Sequence, residues 1–317
     1  MEVKRFDVKL GFRCNNNCLC CPVDHLKRLG DQPLAKIKEE LLEGIRRGAK
    51  EVVLTGGEPT VRPDIVEIVK FCKEAGYEFI QIQSNGRMFS YKSLCEKLID
   101  AGVTEFSPSL HGPRAEIHDY FTRSPGAFNQ VVQGIKNLKG LGQTVIINSV
   151  ITKFNYKLLP ETARLLVGLG VDQYQFAFPH LVGAAWKNAD LICPKKSVIE
   201  PFVKKGLDVG IKAGISVMVE AYPFCFLKGY EAYSSDLFTP PADVMYSTGL
   251  IPNEHLKRKK TAKVKNEKCK KCRFYNICEG PWKEYPERFG WSEFKPVEGE
   301  KFKSKEELFD WFEGERE

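Results

Sequence analysis

Cys14, Cys18 and Cys21, in the run Arg13-Cys14-Asn15-Asn16-Asn17-Cys18-Leu19-Cys20-Cys21-Pro22, stand at C-x3-C-x2-C spacing. Thiolates this close along a chain can converge on one metal centre, and iron–sulfur clusters are held by thiolates at short spacings of this kind. Three of them leave one iron of a four-iron cluster without a protein ligand, open to a substrate or cofactor. A structural zinc site would instead be closed by a fourth residue, which Cys20 or His25 would have to supply. The residues alone leave the open cluster, the zinc site and a plain cysteine-rich loop as alternatives.

The elements that must position these cysteines are legible around them. Residues 3–11 alternate apolar and polar side chains and read as a strand, so the cysteines fall on the loop leaving its carboxyl end. That is where open and barrel-like α/β sheets keep their sites. A helical period over 33–47 ends at Gly48. Strands follow at 51–55, 78–83, 103–110, 143–151 and 172–178, separated by helical patterns at 64–75, 91–101, 127–141 and 156–169. Strand and helix alternating at this spacing require a parallel sheet with crossover helices. The expectation is an α/β fold, a partial (β/α)6 TIM barrel whose lateral opening suits a large substrate. A helix over 198–213 and a strand over 215–219 extend or end this core, which occupies residues 1–220. Residues 221–317 form a small C-terminal Cys-rich domain, and its final helix opens with the capping box Ser304-Lys305-Glu306-Glu307.

Eleven cysteines in a chain without an apolar signal region argue against a disulfide scaffold and for metal ligands in a reducing compartment. Cys72 and Cys95 lie on the apolar faces of predicted helices and read as core, while Cys193 has no assignment. No run of about eighteen apolar residues marks a membrane span, so the protein reads as cytoplasmic, with no membrane partner. The formal charge of +7 is partly local. Lys257-Arg258-Lys259-Lys260 with Lys263 and Lys265 forms a basic run that either meets phosphate or an acidic peptide or is a solvated loop.

The cysteine loop is followed by Leu54-Thr55-Gly56-Gly57-Glu58-Pro59 after the second strand, Gln83-Ser84-Asn85-Gly86 after the third, and Ser107-Pro108-Ser109-Leu110-His111-Gly112 after the fourth; Asn148 lies in the fifth. This set, in this order, resembles the radical S-adenosylmethionine (SAM) superfamily. The resemblance implies that Cys14, Cys18 and Cys21 hold a 4Fe-4S cluster whose open iron chelates SAM. An electron from a donor such as ferredoxin or flavodoxin then cleaves SAM to methionine and a 5'-deoxyadenosyl radical, which removes a hydrogen from the substrate. It implies that Gly56, Gly57 and Glu58 meet the SAM amino group, and that Asn85, Ser109, His111 and Asn148 meet its ribose and methionine parts. Arg123, in the polar connection 111–126, would meet the SAM carboxylate bidentately. From the residues alone each is equally a turn, cap or surface residue, and no general base stands out. The residue before the third cysteine is usually aromatic in this superfamily and is Cys20 here. That leaves adenine stacking open, and Cys20 or Cys21 as the third ligand, with spacing favouring Cys21.

Cys269, Cys272 and Cys278 stand at C-x2-C-x5-C spacing, with Cys225 upstream. Four thiolates could close an iron–sulfur or a zinc site. The run resembles part of the SPASM and twitch extensions of radical SAM enzymes, which implies one auxiliary 4Fe-4S cluster on these four residues. The full SPASM pattern continues with a cysteine where Trp282 stands, so only one is expected. A reduced extension of this kind points to a peptide or protein substrate, as in maturases, although residues 1–5 leave no room for a leader-binding domain. The alternatives are a nucleotide, RNA or small metabolite, supported by the basic run, and a non-catalytic iron–sulfur or zinc binding protein. The missing Gly-Gly tail counts against the molybdopterin cyclase branch.

Overall fold

The computed structural model describes residues 4–240, 242–246 and 249–314, apart from the side chain of His255. Val3, at the head of the first expected strand, lies outside the described residues, as do residues 315–317 at the tail.

Six strands run parallel in sequence order: β1 (Arg5–Lys9), β2 (Glu51–Thr55), β3 (Phe79–Ser84), β4 (Glu105–Pro108), β5 (Thr144–Val150) and β6 (Gln173–Ala177). β7 (Ser216–Glu220) continues the sheet parallel to β6. The crossovers carry α1 (Leu34–Arg46), α2 (Ile65–Glu74), α3 (Lys92–Ala101), α4 (Ala115–Thr122), α5 (Ala127–Gly140), α6 (Leu159–Gly168), the short α7 (Ala184–Lys187) and α8 (Ala189–Ile192), and α9 (Lys196–Lys212). This is the parallel partial barrel the alternation predicts.

The two faces of the sheet follow from period-2 patterning. In β1, Phe6 and Val8 are buried under the helices while Arg5, Asp7 and Lys9 are half-buried on the other face. The helix side is apolar: Ile65, Ile68, Val69 and Cys72 of α2 and Cys95 and Leu98 of α3 are fully or nearly fully buried, so Cys72 and Cys95 are core residues as expected. The lumen is polar, and its groups satisfy one another as buried polar groups must. Arg5 bonds Asp7 at 2.7 Å, Gln81 bonds Glu105, and Gln175 bonds Glu220 at 2.9 Å.

Three features depart from the sequence expectation. The connection 111–126 contains α4, because His118, Phe121 and Thr122 share one buried face. The basic run folds as α10 (Glu254–Thr261), with Lys257, Lys259 and Lys260 exposed and Lys263, just beyond it, buried. Lastly, β8 (Ala242–Tyr246) adds parallel to β1 and β9 (Gly249–Ile251) returns antiparallel. Arg258 of α10 then comes within 4.0 Å of Glu220 at the β7 edge, so the C-terminal segment spans the lateral gap expected to stand open. Two further helices, α11 (Glu284–Phe289) and α12 (Lys305–Gly314), complete the chain. Among the described residues no helix is long and apolar enough to cross a membrane.

Candidate functional site

The cysteine loop is locked on three sides. Against β2, the Gly57 N–H donates to Gly11 O and the Glu58 N–H to Arg13 O, both at 2.8 Å. A Cβ on Gly56, whose φ is +131°, would meet Gly11 O at 2.3 Å, and one on Gly57 would meet Arg13 O at 2.3 Å. These glycines let the backbone approach the cysteine loop closely. On a second side, the N–H groups of Asn17 and Leu19 donate to Thr122 O and Phe121 O at 3.0 Å, at the carboxyl end of α4. On the third, the Ala184 N–H meets Cys21 O at 2.9 Å. Two cations that sequence reasoning missed complete the clamp. Arg87 bonds Asn16 Oδ1 at 3.0 Å and Asn15 O, and Lys27 bonds Asn16 O at 2.8 Å and Asn17 Oδ1 at 3.2 Å. Arg87 directly follows Ser84-Asn85-Gly86, and Lys27 lies on the same loop as the cysteines; those positions were the available signal.

Cys14, Cys18 and Cys21 share the loop, and Cys18 has both of the others as neighbours. Burial pushes the Cys18 thiol up to about 12, and neighbouring Cys14 and Cys21 push the same way. Burial also raises Cys14 and Cys21, while Lys27 opposes the rise at all three. The Cys14 sulfur accepts the Asn16 N–H at 3.4 Å and the Asn85 amide at 3.8 Å. Cys20, whose thiol burial raises strongly with Cys18 and Cys21 pushing the same way, also packs against the hydrophobic core. Paired thiols, an N–H donor and an opposing lysine make a set that suits thiolate ligation, since a metal-bound sulfur is deprotonated.

Glu58 is 2% exposed. Its Oε1 accepts from the Thr60 N–H at 3.0 Å, the Thr60 hydroxyl, and the Ser84 hydroxyl at 2.8 Å; its Oε2 accepts the Asn85 N–H at 2.5 Å. Burial raises its pKa despite these bonds. Ser109 pairs with Asn148 across β4 and β5, and the buried Asn148 Oδ1 has no hydrogen-bond partner among the described residues. A buried orphan acceptor suits a donor of a bound cofactor. His111 is placed differently. It is 6% exposed, stacks on His118 with ring centroids 5.6 Å apart, and accepts the Val150 N–H on Nδ1 at 3.2 Å. Arg123 ends α4 with φ 52° and lines a groove of about 650 Å³ with Leu19, Glu116 and Tyr120. The structure thus gathers Cys14, Glu58 and Asn85 directly, sets Ser109 and Asn148 together at the ends of neighbouring strands, and leaves His111 and Arg123 in surroundings of their own.

The second cysteine group also converges. Cys225, Cys269, Cys272 and Cys278 line one cavity. Burial raises the Cys225 thiol, followed by Cys278, Cys272 and Cys269. The Gly280 N–H donates to the Cys278 sulfur at 3.3 Å and the Val297 N–H to Cys272 at 3.4 Å. All eleven cysteines are free of disulfides. Among the described residues no three Cys, His, Asp or Glu side chains are gathered tightly enough to grip a single metal ion.

A model of the radical SAM superfamily matches residues 8–172, just over half of the chain. A probable GTP 3',8-cyclase of Saccharolobus solfataricus is 35% identical over 209 residues, 63% of this chain and 66% of that protein. An AdoMet-dependent heme synthase of Methanosarcina barkeri is 32% identical over 167 residues, 52% of this chain and 47% of that protein. The chain thus spans about half to two thirds of the length of these curated relatives. Native anSMEcpe with bound AdoMet superposes with TM-score 0.64 at 17% identity, over 98% of this chain and 96% of that one. Streptococcus suis SuiB bound to its precursor peptide SuiA gives TM-score 0.64 at 16% identity, over 84% of this chain and 62% of SuiB. At these identities the likeness is one of fold, that of a radical SAM partial barrel.

Proposed function

The chain belongs to the radical SAM superfamily, and from that premise we propose that Cys14, Cys18 and Cys21 hold a 4Fe-4S cluster for reductive SAM cleavage in the modification of a peptide or protein. The observation that carries the cluster assignment is the C-x3-C-x2-C loop pinned by β2 and α4, on which the Cys14 sulfur accepts the Asn16 N–H and the Asn85 amide. When bound, the cluster and SAM supply a 5'-deoxyadenosyl radical that removes a substrate hydrogen.

The protein's own groups hold and shield. Lys27 and the Asn16 and Asn85 donors compensate thiolate charge at the loop. Gly56, Gly57 and Glu58 fix the end of β2 beside it, with Glu58 orienting Asn85 through its backbone N–H. Ser109 and Asn148 offer polar atoms to SAM. His111, its Nδ1 already used, and Arg123, on the α4 groove, contribute from the margins. Cys225, Cys269, Cys272 and Cys278 take one auxiliary 4Fe-4S cluster. Residues 1–220 act as the radical core and residues 221–317 as the auxiliary unit, with a cytoplasmic carrier such as ferredoxin or flavodoxin supplying electrons.

The fold likeness to SuiB, solved with a precursor peptide, supports a peptide substrate. A nucleotide or small metabolite is the second reading, favoured by a polar lumen whose lateral gap is spanned by β8 and α10 and by relatives named for a cyclase and a heme synthase. The test is anaerobic reduction of the reconstituted chain with SAM. 5'-Deoxyadenosine should form, and Cys18→Ala should abolish it. A fully iron-loaded wild type that releases none would leave a non-catalytic binding protein as the better account.

A further inference from the structure

Beyond Asn148 the inner wall of the barrel continues in further polar groups. Strand register puts Asn148 beside Gln175 and Ala177 beside Glu220. Gln175 holds one Glu220 oxygen at 2.9 Å. Arg258 approaches the other only to 4.0 Å, beyond hydrogen-bond distance. Its Nε is buried and, among the described residues, meets no acceptor. Lys263, by contrast, is neutralised by Asp236 at 3.4 Å and Glu279 at 3.9 Å.

Trp282 packs its ring 5.2 Å from the Arg258 guanidinium. It is 4% exposed, yet its indole N–H has no acceptor among the described residues, whereas a buried tryptophan N–H usually finds one. His180 stacks on Trp282, ring centroids 4.0 Å apart at 13°, and Lys263 Nζ lies 4.2 Å from the same ring. The His180 Nε2 lies 3.3 Å from the Glu284 carboxylate. His180 stands three residues before Gly183, where a Cβ would meet the Pro22 and Cys21 carbonyls, and Trp282 stands four residues after Cys278.

We propose that Arg258 and the Trp282 N–H form an oxyanion subsite for the substrate, with Glu220 as the internal carboxylate that Arg258 leaves on binding. A guanidinium and an adjacent N–H, both short of acceptors, fit a carboxylate or phosphate through charge-assisted bonds. A carboxylate would come from an acidic peptide or a chain end, a phosphate from a nucleotide. The inference rests on the radical SAM reading only in taking the lumen as the place where substrate enters.

The test is calorimetric titration of the anaerobically reconstituted full chain with inorganic pyrophosphate and, separately, with succinate. Wild type should bind at least one of them saturably. Arg258→Gln, and Trp282→Phe, which keeps the stacking but loses the N–H, should each weaken it by about tenfold or more. Lys260→Gln, an exposed neighbour on the same helix, should not. Pyrophosphate alone supports a phosphate-bearing substrate, and succinate alone a carboxylate-bearing one. No saturable binding of either, or binding unchanged in both Arg258→Gln and Trp282→Phe, overturns the subsite. SAM cleavage by wild type without substrate is measured in parallel: its absence would sink the radical reading and leave the oxyanion result standing.

Discussion

The side-chain amide of Asn85 stands 3.8 Å from the Cys14 sulfur while its backbone N–H is held 2.5 Å from the Glu58 carboxylate. One residue at the end of β3 thereby ties the end of β2 to the cysteine loop. Groups that orient a metal ligand are commonly worth about 10–100-fold in affinity or activity, so Asn85→Ala should lower 5'-deoxyadenosine formation within that range. Iron content and SAM turnover both at wild-type levels would show that the link is dispensable.

Gly56 has no room for a side chain. A methyl there would strike Gly11 O at 2.3 Å, and φ of +131° is strained for any L residue. Gly56→Ala should destabilise the chain by roughly 1–3 kcal/mol, read by urea unfolding, and should loosen the cysteine loop as well. Unchanged stability would mean that the two loops part without cost.

The His111–His118 pair predicts a pH dependence. The His111 backbone N–H donates to His118 Nδ1 at 3.1 Å, and the rings are stacked. Burial, with His118 adding, pushes His111 down to about 3; burial pushes His118 down to about 4. Because the folded values are depressed below the unfolded value near 6.5, the unfolded chain binds more protons across that window. The pair's stabilisation is complete above about pH 6.5 and is lost as the pH falls toward these folded values. The slope approaches about 1.4 kcal/mol per pH unit for each histidine. Denaturant titrations at pH 7, 6 and 5 should show the decline, and His118→Gln should flatten it. Equal slopes in the two proteins would rule the pair out as its source.

The basic run divides into two kinds of residue. Lys257 and Lys260 are exposed, and neutralising them together should change stability by less than about 0.5 kcal/mol at each site. Lys263 is buried between Asp236 and Glu279. Lys263→Gln removes the cation from Asp236 and the buried one from Glu279, which keeps Lys259 at 4.0 Å, and should cost about 3–5 kcal/mol. Comparable losses from both variants would contradict this division.

Much of this was readable because it depends on local periodicity. The strand expected at 51–55 is β2 itself, and the alternation of Phe6 and Val8 with Arg5, Asp7 and Lys9 set which face would be lumen. The first cysteine loop and its neighbours were legible as spacing. What was missed depends on contacts remote in sequence. β8 is five residues whose partner is the first strand of the chain, and nothing in Ala242–Tyr246 alone names that partner. The fates of Arg258 and Lys257, adjacent in one run, part only when α10 packs beside β7. That Gly56 and Gly57 also let backbone meet backbone at the cysteine loop was not legible, because spacing shows that a close approach is needed, not everything that approaches. α4 was hidden in a segment rich in polar residues, where His118 and Thr122 are buried with Phe121.

Iron and acid-labile sulfide per chain after anaerobic reconstitution test the two-cluster arrangement most directly. About eight irons are expected in wild type, and about four each in Cys14→Ala/Cys18→Ala/Cys21→Ala and in Cys225→Ala/Cys269→Ala/Cys272→Ala/Cys278→Ala, since each cluster holds four irons on its own thiolates. Iron undiminished in the first variant would contradict the cysteine loop as a cluster site; about four irons in wild type, with only zinc lost from the second variant, would contradict the auxiliary cluster.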